Sequence, residues 1–148
     1  MSSYPELPLD LLLLSTMTLA TTDREGRVHT AAVFFVAISS LKFYFFSEKH
    51  TQHSQDVHAN PQAAVSIYPE CYDWREIRGV QMHGEVFQVE QGSEWEAAWV
   101  KYRRKFPFVN SLKTIVGQNT FYVFKPGWIR LVDNRCGFGY KKEWTIFG

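Results

Sequence analysis

The chain has 148 residues, with 16 Lys plus Arg against 15 Asp plus Glu, a formal net charge of +1 and 16% aromatic residues. That length can enclose one real core but hardly two, so a single domain over residues 1–148 is expected. So even a charge balance gives no whole-surface field for nucleic acid or an acidic membrane, and any anion has to be held by a local site.

The opening "MSSYPELPLDLLLLSTM" has an apolar run without a basic leader, and Asp10 interrupts it, so it reads as neither a signal peptide nor a membrane span. Leu9, Leu12 and Leu13 are expected on the inner face of a short helix started by Pro8. "TMTLATT", "DREG" and "RVHTAAVFFV" then predict a β-hairpin with its loop at residues 23–26, and "LKFYFF" a third strand after a link at 37–40. In "SEKHTQHSQDVHANP", Ser47 or Thr51 can cap a helix that ends near Asn60, because Pro61 disfavours helix in the residue before it. "QAAVSIY" and "IRGVQMHGEVFQVE" follow as strands, the second bending at Gly84.

"SEWEAAWVKYRRKF" carries the clearest helical pattern. Ser93 and Glu96 are spaced as a capping box, and Trp95, Ala98, Trp99, Tyr102 and Phe106 form one apolar face. Lys101, Arg104 and Lys105 lie opposite and read as a solvated face rather than a nucleic-acid surface. The tail supplies three further candidate strands, "NTFYVFK", "GWIRLVD" and "YKKEWTIF". Many short strands with few long helices predict a closed or nearly closed antiparallel barrel with helices at its rim, with an open α+β sandwich as the competitor.

Candidate chemistry concentrates around residues 47–61. At 100° per residue, His50 and His53 would lie about 60° apart, with His58 about 140° further round and Asp56 on the side of His53 away from His50. One helix cannot bring these groups to one metal, so no metal site is assigned. Two readings stay open: a polar helix with Val57 inward, or an anion cradle using the helix start, the hydroxyls of Ser47 and Thr51, Lys49 and His53. His29 and His83 read as hydrogen-bonded structural histidines on strands, and Trp128 and Trp144 as side chains buried against the barrel. "GFGYKK" lacks phosphate-loop spacing and reads as a strand turn, with Lys141 and Lys142 near a site mouth. Cys71 and Cys136 are far apart without a C-x-x-C, which fits a reduced cytoplasmic protein, with one chance bridge left open. No catalytic triad, Cys-His pair or carboxylate pair emerges, so no catalytic residue is named.

The order of "LATTDREGRV", "EKHTQH", "PQAAV", "IRGVQ", "YRRKFP" and "DNRCGFGYKKEW" resembles the FMN-binding split-barrel superfamily typified by pyridoxamine 5'-phosphate oxidase, and in particular a small uncharacterised bacterial group within it. The resemblance implies a mainly β (α+β) fold, a six-stranded antiparallel split β-barrel with a few flanking helices. It further implies a homodimer with FMN in clefts between the subunits. Val33 and Phe34 would line the flavin, Ser47, Lys49, Thr51, Gln52 and His53 would hold the phosphate, Arg78 would approach from the next hairpin, and Asp133 or Asn134 would come from the partner subunit. A flavin requires such an apolar slot, a few polar contacts and an anion site.

The chain also departs from the oxidase. Gln52 and His53 stand where the oxidase has arginine and lysine, and Ala31 matches another arginine. A phosphate thus loses three cationic partners, each worth about 1.5–3 kcal/mol. The substrate motif Arg-x-His is replaced by "RLVD", with Val132 in the histidine position, which argues against pyridoxamine 5'-phosphate oxidation itself. The expectation is an FMN or related flavin protein whose activity, if it turns over substrate, is oxidoreduction of an unknown small molecule. A non-catalytic module using the same cleft for haem, deazaflavin or another ligand is the alternative.

Overall fold

Alternation sets the first hairpin. In β1 (Thr16–Thr22) Met17, Leu19 and Thr21 turn inward, and β1 pairs in register with β2 (Val28–Phe34), from Thr16 opposite Phe34 to Thr22 opposite Val28. The computed structural model describes residues 4–111 and 119–146. The connecting turn is held by the Asp23 carboxylate, which accepts from the backbone N–H groups of Glu25 and Arg27 and lies 2.8 Å from His29 Nε2. That histidine contact is the main reason the Asp23 carboxyl is held well below the usual carboxylate range. His29 is therefore a hydrogen-bonded structural histidine, as expected.

The chain continues through β3 (Val36–Ala37), β4 (Phe43–Ser47), helix α2 (Gln52–Ala59), β5 (Gln62–Ile67), β6 (Arg78–Gln88), helix α3 (Ser93–Lys105), β7 (Thr120–Asp133) and β8 (Lys141–Thr145). Its strands form one 8-stranded antiparallel sheet in the order β2-β1-β5-β6-β7-β4-β3, with β8 also on β7. The six principal strands are those implied by the resemblance, and the short β3 and β8 are added to them. The sheet curls into a half-barrel in which β2 and β4 approach each other without being neighbours in the strand order. This is the split-barrel form of an α+β fold.

β7 organises the curl. β6 pairs along nearly its whole length, while on the other edge β4 takes residues 120–124 and β8 takes residues 128–132. "NTFYVFK" and "GWIRLVD" are thus one strand, not two. Pro126 sits in the gap between β4 and β8, where only one neighbouring strand asks for hydrogen bonds, so proline does not break the ladder. There the register slips between His83 and Gly84, and Gly127 is the extra residue. The expected bend at Gly84 is found here.

The barrel interior is filled by Leu19, Phe43, Phe45, Ile67, Val80, Met82, Phe124, Ile129 and neighbours. α3 covers the outside of β4 and β7 with Ala98, Tyr102 and Phe106, while Trp95 and Trp99 are half-buried around Phe46. Phe46 itself stacks on Phe121 at 4.1 Å and 8°. Trp144 is half-buried against the main core; Trp128 is half-buried too, stacked on His83 at 4.9 Å. His83 is exposed and packed on that indole, so ring stacking takes the part expected of a hydrogen bond.

Three local expectations are corrected. The cap of α3 is Gly92 and has no side-chain cap bond, so Ser93 is the first helical residue and the capping box does not form. Helix α1 (Leu9–Leu12) is a single turn: Leu11 is 1% exposed, whereas Leu9 is 68% exposed and Leu13 is also out. Leu12 is half-buried against the main core as expected, but one turn cannot carry Leu9 and Leu13 to the same face. Lys105 is half-buried rather than solvated, donating to the carbonyls of Leu12 (3.2 Å) and Leu14 (2.6 Å) with its ammonium 3.9 Å from the Phe35 ring centre. Burial pushes this amine down to about 8. Its stem still covers apolar surface, and its head satisfies carbonyls at the end of α1.

Cys71 and Cys136 are free thiols. Among the described residues no helix is long and apolar enough to cross a membrane. Phe147, at the end of the last candidate strand, lies outside the described residues. A Cβ on Gly84 would sit 2.1 Å from the Lys125 carbonyl oxygen and 2.8 Å from Pro126 Cα, both backbone atoms. Gly84→Ala is therefore expected to cost about 3 kcal/mol, read as a lowered urea midpoint, whereas Gly26→Ala meets nothing within 4 Å and pays only for its positive φ.

Candidate functional site

The candidate residues fall into two groups at opposite ends of the sheet. Ser47 pairs with Thr120 at the start of β7, and Arg78 pairs with Asp133 at its end. At about 3.3 Å per residue those ends are roughly 40 Å apart along the strand. Phe34, at the end of β2, faces Thr16 on β1 and packs on Phe106, whose neighbour Tyr102 meets Phe46 of β4.

At the first end, β4 runs through Ser47 into α2. Thr51 is the cap, accepting from the Ser54 N–H at 3.3 Å, and the helix stops at Ala59 before Asn60 and Pro61. Ser47 is not a cap: it is buried, with its Oγ 2.6 Å from His53 Nε2. Thr51 Oγ1 lies 3.3 Å from the same nitrogen and 2.8 Å from Ser54 Oγ, which donates to the Glu48 carbonyl. Burial pushes the His53 imidazole below its ordinary value, partly opposed by the Asp56 carboxylate. The ring is neutral at pH 7, so the two hydroxyls and the imidazole form a closed network with no positive charge.

His50 precedes the helix, so helical angles do not relate it to His53. Among the described residues no group of three His, Cys, Asp or Glu side chains is placed to hold a metal. Val57 turns inward as expected, and Asp56 beside it is 3% exposed. Its carboxylate accepts from Thr21 Oγ1 and from Gln52 Nε2, both at 2.7 Å, tying α2 to β1. His58 is exposed, but its Nε2 lies 3.1 Å from the hydroxyl of buried Tyr122. Lys49 and Gln52 line a groove of about 610 Å³ between α2 and the β1–β2 turn, shared with Arg24, Arg27 and Gln55. A phosphate therefore fits this end weakly: Ser47 and Thr51 are engaged within the chain, burial disfavours the charged form of His53, Arg27 is paired with Asp23 and Glu25, and Asp23, Glu25 and Asp56 line the same groove as Lys49 and Arg24.

On β2 Val33 is buried, while Phe34 is exposed and packs on Phe106 and Phe108. Among the described residues β2 is the terminal strand of the sheet and pairs with β1 alone. Its outer face, with that of β1 and β5, is built of small residues: Thr18 opposite Ala32, and Ala20 between Thr30 and Ala64. At the second end Arg78 is held by Asp10 of α1 through both terminal nitrogens, Nη2 to Oδ1 at 3.1 Å. Asp133 is held by Arg135 at 2.8 and 3.0 Å. Asn134 donates to the carbonyls of Trp74 and, by its backbone, Ile77, and accepts from Gly139. "GFGYKK" is the expected turn into β8, with Gly137 and Gly139 at positive φ and Lys141 and Lys142 exposed.

Asp10 is absent from the sequence-based candidates, and Asp56 is weighed there only as a metal ligand, not as the buried anchor of α2. An i,i+4 Gln52–Asp56 spacing next to Val57 was the available signal for Asp56. For Asp10 there was none, because its partner lies far along the chain.

A curled, split antiparallel sheet with a strand-to-helix junction at one end defines the split barrels as a class. Residues 11–133 match the sequence profile described as Pyridoxamine 5'-phosphate oxidase, and the chain belongs to that family. A UPF0306 protein of Photorhabdus laumondii is 33% identical over 129 residues, covering 86% of this chain and 85% of that one. Among solved structures, HutZ, the haem storage protein of Vibrio cholerae, superposes with TM-score 0.67 at 17% identity over 76% of this chain and 81% of that one. A haem-binding protein of Mycobacterium smegmatis gives 0.73 at 20% over 88% and 52%.

Asp56→Ala is expected to cost about 2 kcal/mol by leaving the Thr21 hydroxyl buried and unpaired, measured by urea unfolding. His53 carries a pH signature. Its folded value lies below 6.5, so stability is level above that pH and falls below it, as unfolded chains take the proton first. His53→Gln should flatten the urea midpoint between about pH 7 and pH 5.

Proposed function

We propose that this is a homodimeric split-barrel protein that binds FMN or a related flavin in clefts between its subunits. The observation that carries this reading is the separation of the two candidate groups to opposite ends of one sheet. No mononucleotide bridges that span within one chain, whereas a second copy laid across the small-residue face of β1, β2 and β5 can bring one end of each chain to the other. Val33 and Phe34 would line the ring along β2. Lys49, Gln52 and the start of α2 would hold the phosphate, with Ser47, Thr51 and His53 shaping the pocket rather than supplying charge. Arg78, Asp133 and Asn134 would come from the partner's far end.

A bound flavin would supply the redox step on a small organic molecule; the protein's part is to position both and exclude water. The substrate is not pyridoxamine 5'-phosphate, since Val132 stands in place of the histidine that would contact it. Free Cys71 and Cys136 support a reducing, cytoplasmic setting.

A second reading, haem in the same cleft, is favoured by the neutral imidazole of His53, which replaces a cation and is suited to iron. Two of the structural neighbours are haem proteins, which supports it. The absorption spectrum of the isolated protein, followed by FMN titration, separates the two. Quenching of flavin fluorescence with an affinity that falls as salt rises is expected. A colourless protein that neither quenches FMN nor takes up haem overturns both readings, and a Soret band lost in His53→Ala selects haem.

A further inference from the structure

Lys105 has no part in either candidate group, yet its amine is deeply placed. It donates to the carbonyls of Leu12 and Leu14 and lies 3.9 Å from the centre of the buried Phe35 ring. The same side chain lines a groove of about 600 Å³ whose walls include Leu9, Leu12, Leu13, Val36 and Ile38. Lys105 is the one basic residue among those that line the groove, and Glu6 is the one acid. Leu12 is a wall of the groove and, through its carbonyl, a partner of the amine, so the head of Lys105 borders the apolar space.

We propose that Lys105 is a covalent binding site for small apolar aldehydes, which enter this groove and are held as an imine on its amine. The proposal goes beyond the flavin reading and requires no flavin. In the step that forms the imine, the lone pair of neutral Lys105 Nζ attacks the aldehyde carbon. The C=O bond breaks, a C=N bond forms, and the oxygen leaves as water with the two amine protons; nothing is oxidised or reduced. Burial lowers this amine to about 8, so roughly a tenth of it carries the reactive lone pair at pH 7. Two N–H donors satisfy the Leu12 and Leu14 carbonyls, so the neutral amine leaves neither of them unpaired and keeps its lone pair. A carboxylate ligand, by contrast, would have to displace one of those acceptors. Apolar walls around one amine select an uncharged chain, and exposed Leu9 and Leu13 leave the groove open to it. The imine nitrogen carries at most one N–H, so one of the two carbonyls loses its donor and the end of α1 is loosened on modification.

The test incubates the full chain, without added flavin, at pH 7 with pentanal or with glyoxylate in the presence of cyanoborohydride, and maps the reduced adducts by peptide mass spectrometry. Lys101, exposed and one turn earlier on α3, is the internal reference. Pentanal should label Lys105 about tenfold faster than Lys101. Selectivity for Lys105 over Lys101 should be about fivefold greater with pentanal than with glyoxylate, whose charge the apolar walls disfavour. Leu9→Asp, at an exposed position, should remove most of that difference while leaving the labelling of Lys101 unchanged. Lys101 labelled as fast as Lys105, equal selectivity with the two aldehydes, or an unchanged preference in Leu9→Asp overturns the proposal.

Discussion

Most of this architecture depends on one strand accepting partners on both edges without breaking. β7 carries β6 along one edge and shares the other between β4 and β8. Gly84 lets the backbone of residues 125–126 pass at a distance no side chain would allow, and Gly127 absorbs the slipped residue. The sheet can then curl, and β2 is left as an edge across from β4. The separation of the two candidate groups follows from the same length of strand.

The start of α2 shows how one geometry can serve different chemistry. The turn after β4 places Ser47, Thr51 and His53 within hydrogen-bonding reach, an arrangement that with cationic side chains would hold a phosphate. With an imidazole kept neutral by burial, the same positions become a self-satisfied polar network. Asp56 adds a buried carboxylate that docks the helix on Thr21. The helix is thus anchored by polar contacts at a place where a purely apolar face would have sufficed for packing alone, which is a specific way of fixing its angle on the barrel.

At the opposite end the charges are arranged differently. Arg78 and Arg135 each pair with one carboxylate, Asp10 and Asp133, but the buried partner is the arginine in the first pair and the aspartate in the second. Exposed Trp74, Phe138 and Tyr72 surround this end, while Lys105 and Leu11 pin α1 nearby.

Hairpin, helix stops and the bend at Gly84 were legible because local physics decides them: alternation sets faces, Pro61 ends α2, and glycine marks close backbone approach. The family was legible for the same reason, since its ordered segments are local. Less was legible where a partner is distant. Lys105 looked solvated until the carbonyls of Leu12 and Leu14 arrived, and the α3 capping box yielded to Gly92. The tail read as two strands because proline ends most ladders, and only the gap between β4 and β8 removes that penalty. The sequence by itself determined the split-barrel class, the strand-to-helix junction and the loss of the oxidase's cations. Only the tertiary structure decided that His53 is neutral, that Arg78 belongs to Asp10, and that the candidate residues occupy two ends. Burial and long-range register set those outcomes, and neither is a property of residues close together in the chain.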